Sequence, residues 1–124
     1  MVQNVSILDL TAAMASHAVQ RHAVISENIA NADTPGYKAK DVESFAEIYK
    51  NAQTQNVSIS EAMGQGSVET FTSNSDDALS PNGNSVSLED QSMRAAQSQN
   101  DHSMALMLYN KSLQLMKIAV GKNL

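Results

Sequence analysis

The chain has 124 residues, a formal net charge of -5 at pH 7, no cysteine, no tryptophan and only 4% aromatic residues. That length bounds it to one domain, whose core must be built from Leu, Ile, Val, Met and Ala, a set that favours close helix packing over a thick interior. The acidic balance argues against nucleic acid or an anionic membrane as partner, and the lack of cysteine excludes disulfides and thiolate metal sites.

The N-terminal stretch reads as a helix from about Ile7 to Ala32. Leu10, Met14, Ala18, Ile25 and Ile29 recur at three- or four-residue steps, with Arg21 interrupting the stripe. The helix is then stopped by a sharply specified turn. Asn28, Asn31 and Asp33 are poor helix-interior residues that readily bond nearby backbone. Pro35 removes an amide and pushes Thr34 toward an extended conformation, and Pro35-Gly36 suits the central positions of a type II turn with Gly36 at positive φ.

Beyond the turn, Val42, Phe45, Tyr49 and Ala52 predict a short helix between Asp41 and Ala52. Residues 53–86 are rich in Ser, Asn, Gln and Gly, with breakers at Gly64, Gly66, Pro81 and Gly83, and SVETFT at 67–72 is a candidate short strand. The last helix starts after Ser87, a good N-cap, with Glu89 and Asp90 placing negative charge in its first turn. Leu106, Tyr109, Leu113, Met116 and Val120 then follow heptad spacing, and Gly121 marks the end. Followed backward, that register meets His102, Gln99 and Ser92, so the seam is strongly apolar only in the last half of the helix.

The expected fold is therefore mainly α, with long N- and C-terminal helices paired as a coiled-coil-like hairpin around a short helix and a loop-rich middle. Its segments are an N-terminal helix over 1–33, a turn and short helix over 34–52, a flexible loop-rich middle over 53–86 and a C-terminal helix over 87–124. The two terminal helices form one structural domain.

No catalytic constellation emerges. Asp101, His102 and Ser103 are consecutive, and neighbours on a helix diverge too far to form a relay. His17 and His22 are five apart, poor spacing for two ligands on one helical face, and no third ligand is evident. Gly64-Gln65-Gly66 lacks the Lys-Ser/Thr of a phosphate loop. Met104, Met107 and Met116 read as packing residues. We expect no catalytic residue, no cofactor and no metal.

The string NIANADTPGYK resembles the N-terminal signature of the flagellar axial family of rod, hook and hook-associated proteins. The matching positions are Asn28, Ile29, Ala30, Asn31, Thr34, Pro35, Gly36, Tyr37 and Lys38. Lys40-Asp41, the following Phe45 and the segment GNSVSLEDQSM at 83–93 are similar to the rod branch of that family. The resemblance covers roughly residues 7–49 and 82–122 and leaves the middle uncovered.

The resemblance implies a structural subunit of the bacterial flagellar basal-body rod, not an enzyme, whose paired helices pack side by side in the wall of a hollow tube and transmit torque. The implied assembly interface is Leu10, Met14, Ala18, Ile25 and Ile29 with Leu106, Tyr109, Leu113, Met116 and Val120. Implied partners are further copies of the chain, other rod proteins including FlgC-like ones, a FliE-type adaptor with the membrane ring, and the flagellar type III export apparatus. The implied location is the periplasmic rod, reached without a cleaved signal peptide, with Val5, Ile7 and Leu8 as candidate contributors to an export signal. No basic residue precedes Arg21 and no apolar run is long enough to span a bilayer, so membrane insertion is not expected. The alternatives are another rod protein of the same family (FlgC-like) and, from another class, a cytosolic helical adaptor or export chaperone.

Overall fold

The computed structural model describes residues 6–64, 70–72, 81 and 83–121. In chain order the elements are helix α1 (Ile7–Ala30), strand β1 (Lys40–Val42), helices α2 (Phe45–Gln55) and α3 (Ile59–Gly64), strand β2 (Thr70–Thr72) and helix α4 (Leu88–Gly121). The mainly α architecture with two long terminal helices is the one expected. Val5, Gly66, Lys122 and residues 67–69 of the candidate strand lie outside the described residues.

Local chemistry sets the helix ends. Ser6 caps α1 by accepting from the Leu8 amide at 3.2 Å, and Ser87 does the same for α4 through the Asp90 amide at 3.4 Å. Ser44 caps α2 by accepting from the Glu47 amide at 3.3 Å. Asn56 closes α2 in the left-handed region at φ 56°, which Asn tolerates better than most residues.

The two long helices run antiparallel, and small and polar residues make their seam. Thr11, Ala18 and Ile25 of α1 are buried at seven-residue spacing, as are Gln91, Ser98 and Ala105 of α4. Ser98 Oγ donates to the Ala18 carbonyl at 2.8 Å, a bond that requires the two backbones to approach closely. This seam lies one residue earlier than the register read from the sequence, since Ser92 and Gln99 are exposed. The apolar count misled because the buried positions carry Thr, Ser and Gln, which no hydrophobic pattern flags.

A second cluster sits on the side of α1. Ala13, Ile48, Ala52, Ile59 and Met63 are buried together, with Phe45, Tyr49, Val57 and Ala62 against them. It exists because α3 folds back under α2, so the loop-rich middle contains a helix that its Ser- and Gln-rich surroundings concealed. The strands are an antiparallel pair with Asp41 opposite Phe71.

Candidate functional site

The turn does what Pro-Gly dictates. Gly36 sits at φ 73°, and the Tyr37 amide donates to the Thr34 carbonyl at 3.2 Å, closing the turn. The helix end feeding it is bonded locally. Asn31 Nδ2 donates to the Glu27 carbonyl at 2.8 Å, and the Thr34 hydroxyl donates to Asn31 Oδ1 at 3.1 Å.

Asn28 turns this local motif into a tertiary one. It is completely buried, and its amide makes four hydrogen bonds. Nδ2 donates to the Lys40 carbonyl at 2.7 Å and to Gln91 Oε1 on α4 at 3.1 Å. Oδ1 accepts from the Lys40 amide at 3.0 Å and from the Tyr37 hydroxyl at 3.1 Å. An Asn amide offers two donors and two acceptor sites, so this one is saturated. A residue that looked like a helix breaker thus joins α1, β1 and α4.

The segment before α4 completes the arrangement from the other side. Asn84, also completely buried, donates to the Asn31 and Thr34 carbonyls at 2.8 and 2.7 Å. The Ser85 amide donates to the Tyr37 carbonyl at 3.0 Å, and Ser85 Oγ accepts from the Ala39 amide at 2.8 Å. Gly83, at φ 80°, lies so close to the turn that an added Cβ would meet the Gly36 Cα at 3.6 Å. Residues 28–41 and 83–94, far apart in the chain, form one polar clasp.

Charge ties the clasp along its flank. The Asp41 carboxylate is bonded by Arg94 of α4, which also donates to Asp90 at 2.8 Å, and lies 3.6 Å from Arg21 of α1. Its side chain is 12% exposed, so these contacts are partly shielded from water. Lys40 Nζ reaches Glu27 at 2.9 Å on the surface. That hydrogen bond and the Glu27 charge raise the Lys40 pKa above its ordinary value. Loss of solvation, with the Glu27 charge nearby, raises that of Tyr37.

The anticipated assembly residues divide into two groups. Ala18 and Ile25 are buried in the intramolecular seam, and Leu10 and Met14 are half-buried beside it. Tyr109 and Leu113 are half-buried, whereas Ile29, Leu106, Met116 and Val120 are exposed. Within the motif, Asn28 is buried, Asn31 and Tyr37 are half-buried, and Ile29, Ala30, Thr34, Pro35, Gly36 and Lys38 are exposed. The sequence reading missed Asn84, Ser85, Gln91 and Arg94 as functional partners of the turn. The one available signal was the similarity of 83–93 to the rod branch, which marked the segment without revealing what it touches.

His17 Nε2 donates to the Glu43 carbonyl at 2.7 Å and packs edge-on against Phe45, with ring centroids 5.7 Å apart. Among the described residues, no three His, Asp or Glu side chains are grouped to hold a metal ion. A groove of about 450 Å³ opens beside this histidine, lined by Met14, Arg21, Asp41, Phe45, Asp101 and Met104 among others. No helix among the described residues is long and apolar enough to cross a membrane.

Residues 12–38, the greater part of α1 and the turn, match the family model described as flagella basal body rod protein. Over that segment the chain is similar to flagellar basal body rod proteins. The FlgB basal body rod proteins of Escherichia coli (strain K12) and Shigella flexneri are each 53% identical over 34 residues, 27% of this chain and 25% of theirs. That of Aeromonas hydrophila is 53% identical over 36 residues, 29% of this chain and 26% of its own. The matched segment therefore spans about a quarter of the curated relatives' length. The family-model match at 12–38 carries Asn28, the turn and Tyr37, but neither Asp41 nor the segment at 83–94 that clasps them.

Proposed function

We propose that this chain is a structural subunit of the flagellar basal-body rod, FlgB-like, joining the membrane ring and its FliE-type adaptor to the next rod proteins. It acts by packing, transmitting torque through helices without chemistry of its own. It leaves the cell interior through the flagellar type III export apparatus and works in the periplasmic rod.

The observation that carries this reading is the clasp. The family-matched segment folds into a saturated hydrogen-bond network with residues 83–94, fixing where α4 begins relative to the end of α1. The clasp, on this reading, holds the two helices in fixed relation before neighbours surround them. On this reading Leu106, Tyr109, Leu113, Met116 and Val120 meet other subunits, which accounts for the exposure of Leu106, Met116 and Val120 in the single chain.

Electron cryotomography of a strain lacking the chain, with the intact gene restored as control, tests the proposal. A membrane ring without rod or hook, rescued on restoration, is expected. Complete rods and hooks in the deletion strain would overturn it and bring a cytosolic adaptor forward. Leu113→Asp should abolish motility, because a charge on a dry helix seam has no solvation. Normal swimming in that strain would remove Leu113 from the interface.

A further inference from the structure

The groove beside His17 gathers two sulfur atoms and one imidazole from the two long helices. Met14 and His17 are three residues apart on α1, so their side chains share a face. Met104 comes from α4. Ser98 meets Ala18 across the seam, and Met14 lies four residues before Ala18 while Met104 lies six after Ser98. In an antiparallel pair both therefore fall on the same side of that contact. All three side chains line one cavity of about 450 Å³. Met104 is 53% exposed, which leaves its thioether reachable from solvent.

The imidazole is already oriented. Its Nε2 lies 2.7 Å from the Glu43 carbonyl oxygen, which can only accept, so Nε2 carries the proton. In the neutral ring the lone pair is then on Nδ1. Phe45 packs edge-on against the ring and restrains its plane. A backbone carbonyl bonded to one ring nitrogen is the usual support for a histidine whose other nitrogen holds a metal.

We propose that Met14, His17 and Met104 form a binding site for a soft monovalent cation, copper(I), with two thioether ligands and one imidazole. Thioethers select copper(I), whereas carboxylates and carbonyls suit hard cations. The groove also holds Asp41 and Asp101. Asp41 is engaged by Arg94 and lies 3.6 Å from Arg21, so it is not free to serve a hard cation. Arg21 itself is turned toward Asp41 and Gln97. Asp101 adds negative charge, which favours a cation. Because two of the three ligands are sulfur, no grouping of His, Asp and Glu marks this site among the described residues.

A second groove between the long helices fits copper(I) less well. His22, His102 and Gln99 line it, giving two imidazoles and no sulfur. Such a set suits zinc, nickel or copper(II). The plainer role for Met14 and Met104 is packing, which leucine would serve as well.

The test is calorimetric titration of the full chain with silver(I), a redox-stable probe of the same softness. Copper(I) competition against a chromophoric chelator, without oxygen, accompanies it. Wild type should bind one ion per chain with a saturable isotherm. Met14→Leu/Met104→Leu nearly conserves volume, so it should keep the circular dichroism of wild type yet bind at least ~10-fold more weakly. Met93→Leu/Met107→Leu and His102→Gln, all outside the groove, should bind as wild type does. In nitrogen-15 spectra His17 Nδ1 should lose its lone-pair signature on binding while the Nε2 proton persists. Equal amounts of zinc(II) should not displace the silver. Binding by the Met14/Met104 variant as tight as wild type would reduce both methionines to packing and overturn the proposal. Loss of binding in His102→Gln, displacement by zinc(II), or the lack of a saturable isotherm would overturn it equally.

Discussion

The two ends of the helical hairpin are built on opposite principles. At the clasp end, nearly every buried contact is polar and satisfied: Asn28 and Asn84 are completely buried, and among the described residues no buried side-chain N or O atom lacks a hydrogen-bond partner. At the tail end the side chains are aliphatic, and large ones remain in contact with water. Polar networks are directional and fix a unique geometry, whereas apolar surface is permissive about what covers it. On the proposed reading the clasp sets the form of the subunit, and the tail supplies its adhesion.

Breaking the clasp should produce the largest loss of stability. Asn28→Leu removes the side-chain partner of the Lys40 amide and carbonyl and of the Gln91 amide oxygen, and one hydrogen-bond partner of the Tyr37 hydroxyl, none of which Leu can replace. We expect a cost of about 3–5 kcal/mol in chemical denaturation. A loss under about 1 kcal/mol would mean that water substitutes freely and that the clasp does not organise the subunit. Gly36→Val comes next, at about 1–3 kcal/mol, because a β-branched residue resists φ 73° even though open space surrounds the position. Gly36→Ala should cost less, and equal losses for the two would point away from backbone strain.

Tyr37→Phe removes one hydrogen bond to Asn28 and should cost about 1 kcal/mol near neutral pH. It also sharpens the electrostatics. A pKa raised above its ordinary value of 10.0 means that the folded state holds the phenolic proton more tightly than the unfolded chain. That contribution is present below about pH 10 and fades as pH rises through the folded value. Lys40, raised from 10.5, acts in the same direction, although its exposed position weakens the effect. Wild type should thus lose stability on the alkaline side, and Tyr37→Phe should lose less, as thermal melts across that range would show.

The smallest effect on the isolated subunit should come from the tail. Leu115→Asp at a 67% exposed position should change monomer stability by no more than about 0.5 kcal/mol while impairing assembly. A large loss of monomer stability would show that the tail is already packed within its own chain.

The contrast also explains what was legible in the sequence. The turn was legible because Pro35-Gly36 has few conformations, and the start of α4 because Ser87 followed by Glu89-Asp90 is a local signal. The second helix was visible in the spacing of Phe45, Tyr49 and Ala52, though strand β1 before it was not. The true seam escaped because Thr11, Gln91 and Ser98 are buried through close approach and hydrogen bonding, which apolar periodicity does not register. The bonds from Asn28 to Gln91 and from Asp41 to Arg94 join residues more than fifty positions apart, and their pairing exists only once the helices are aligned.

Amide hydrogen exchange on the isolated subunit and on the assembled rod tests the division of labour directly. The account predicts strong protection over 28–41 and 84–98 in both states. Residues 106–121 should exchange rapidly in the isolated subunit and become protected only on assembly. Equal protection of the tail and the clasp in the isolated subunit would contradict it.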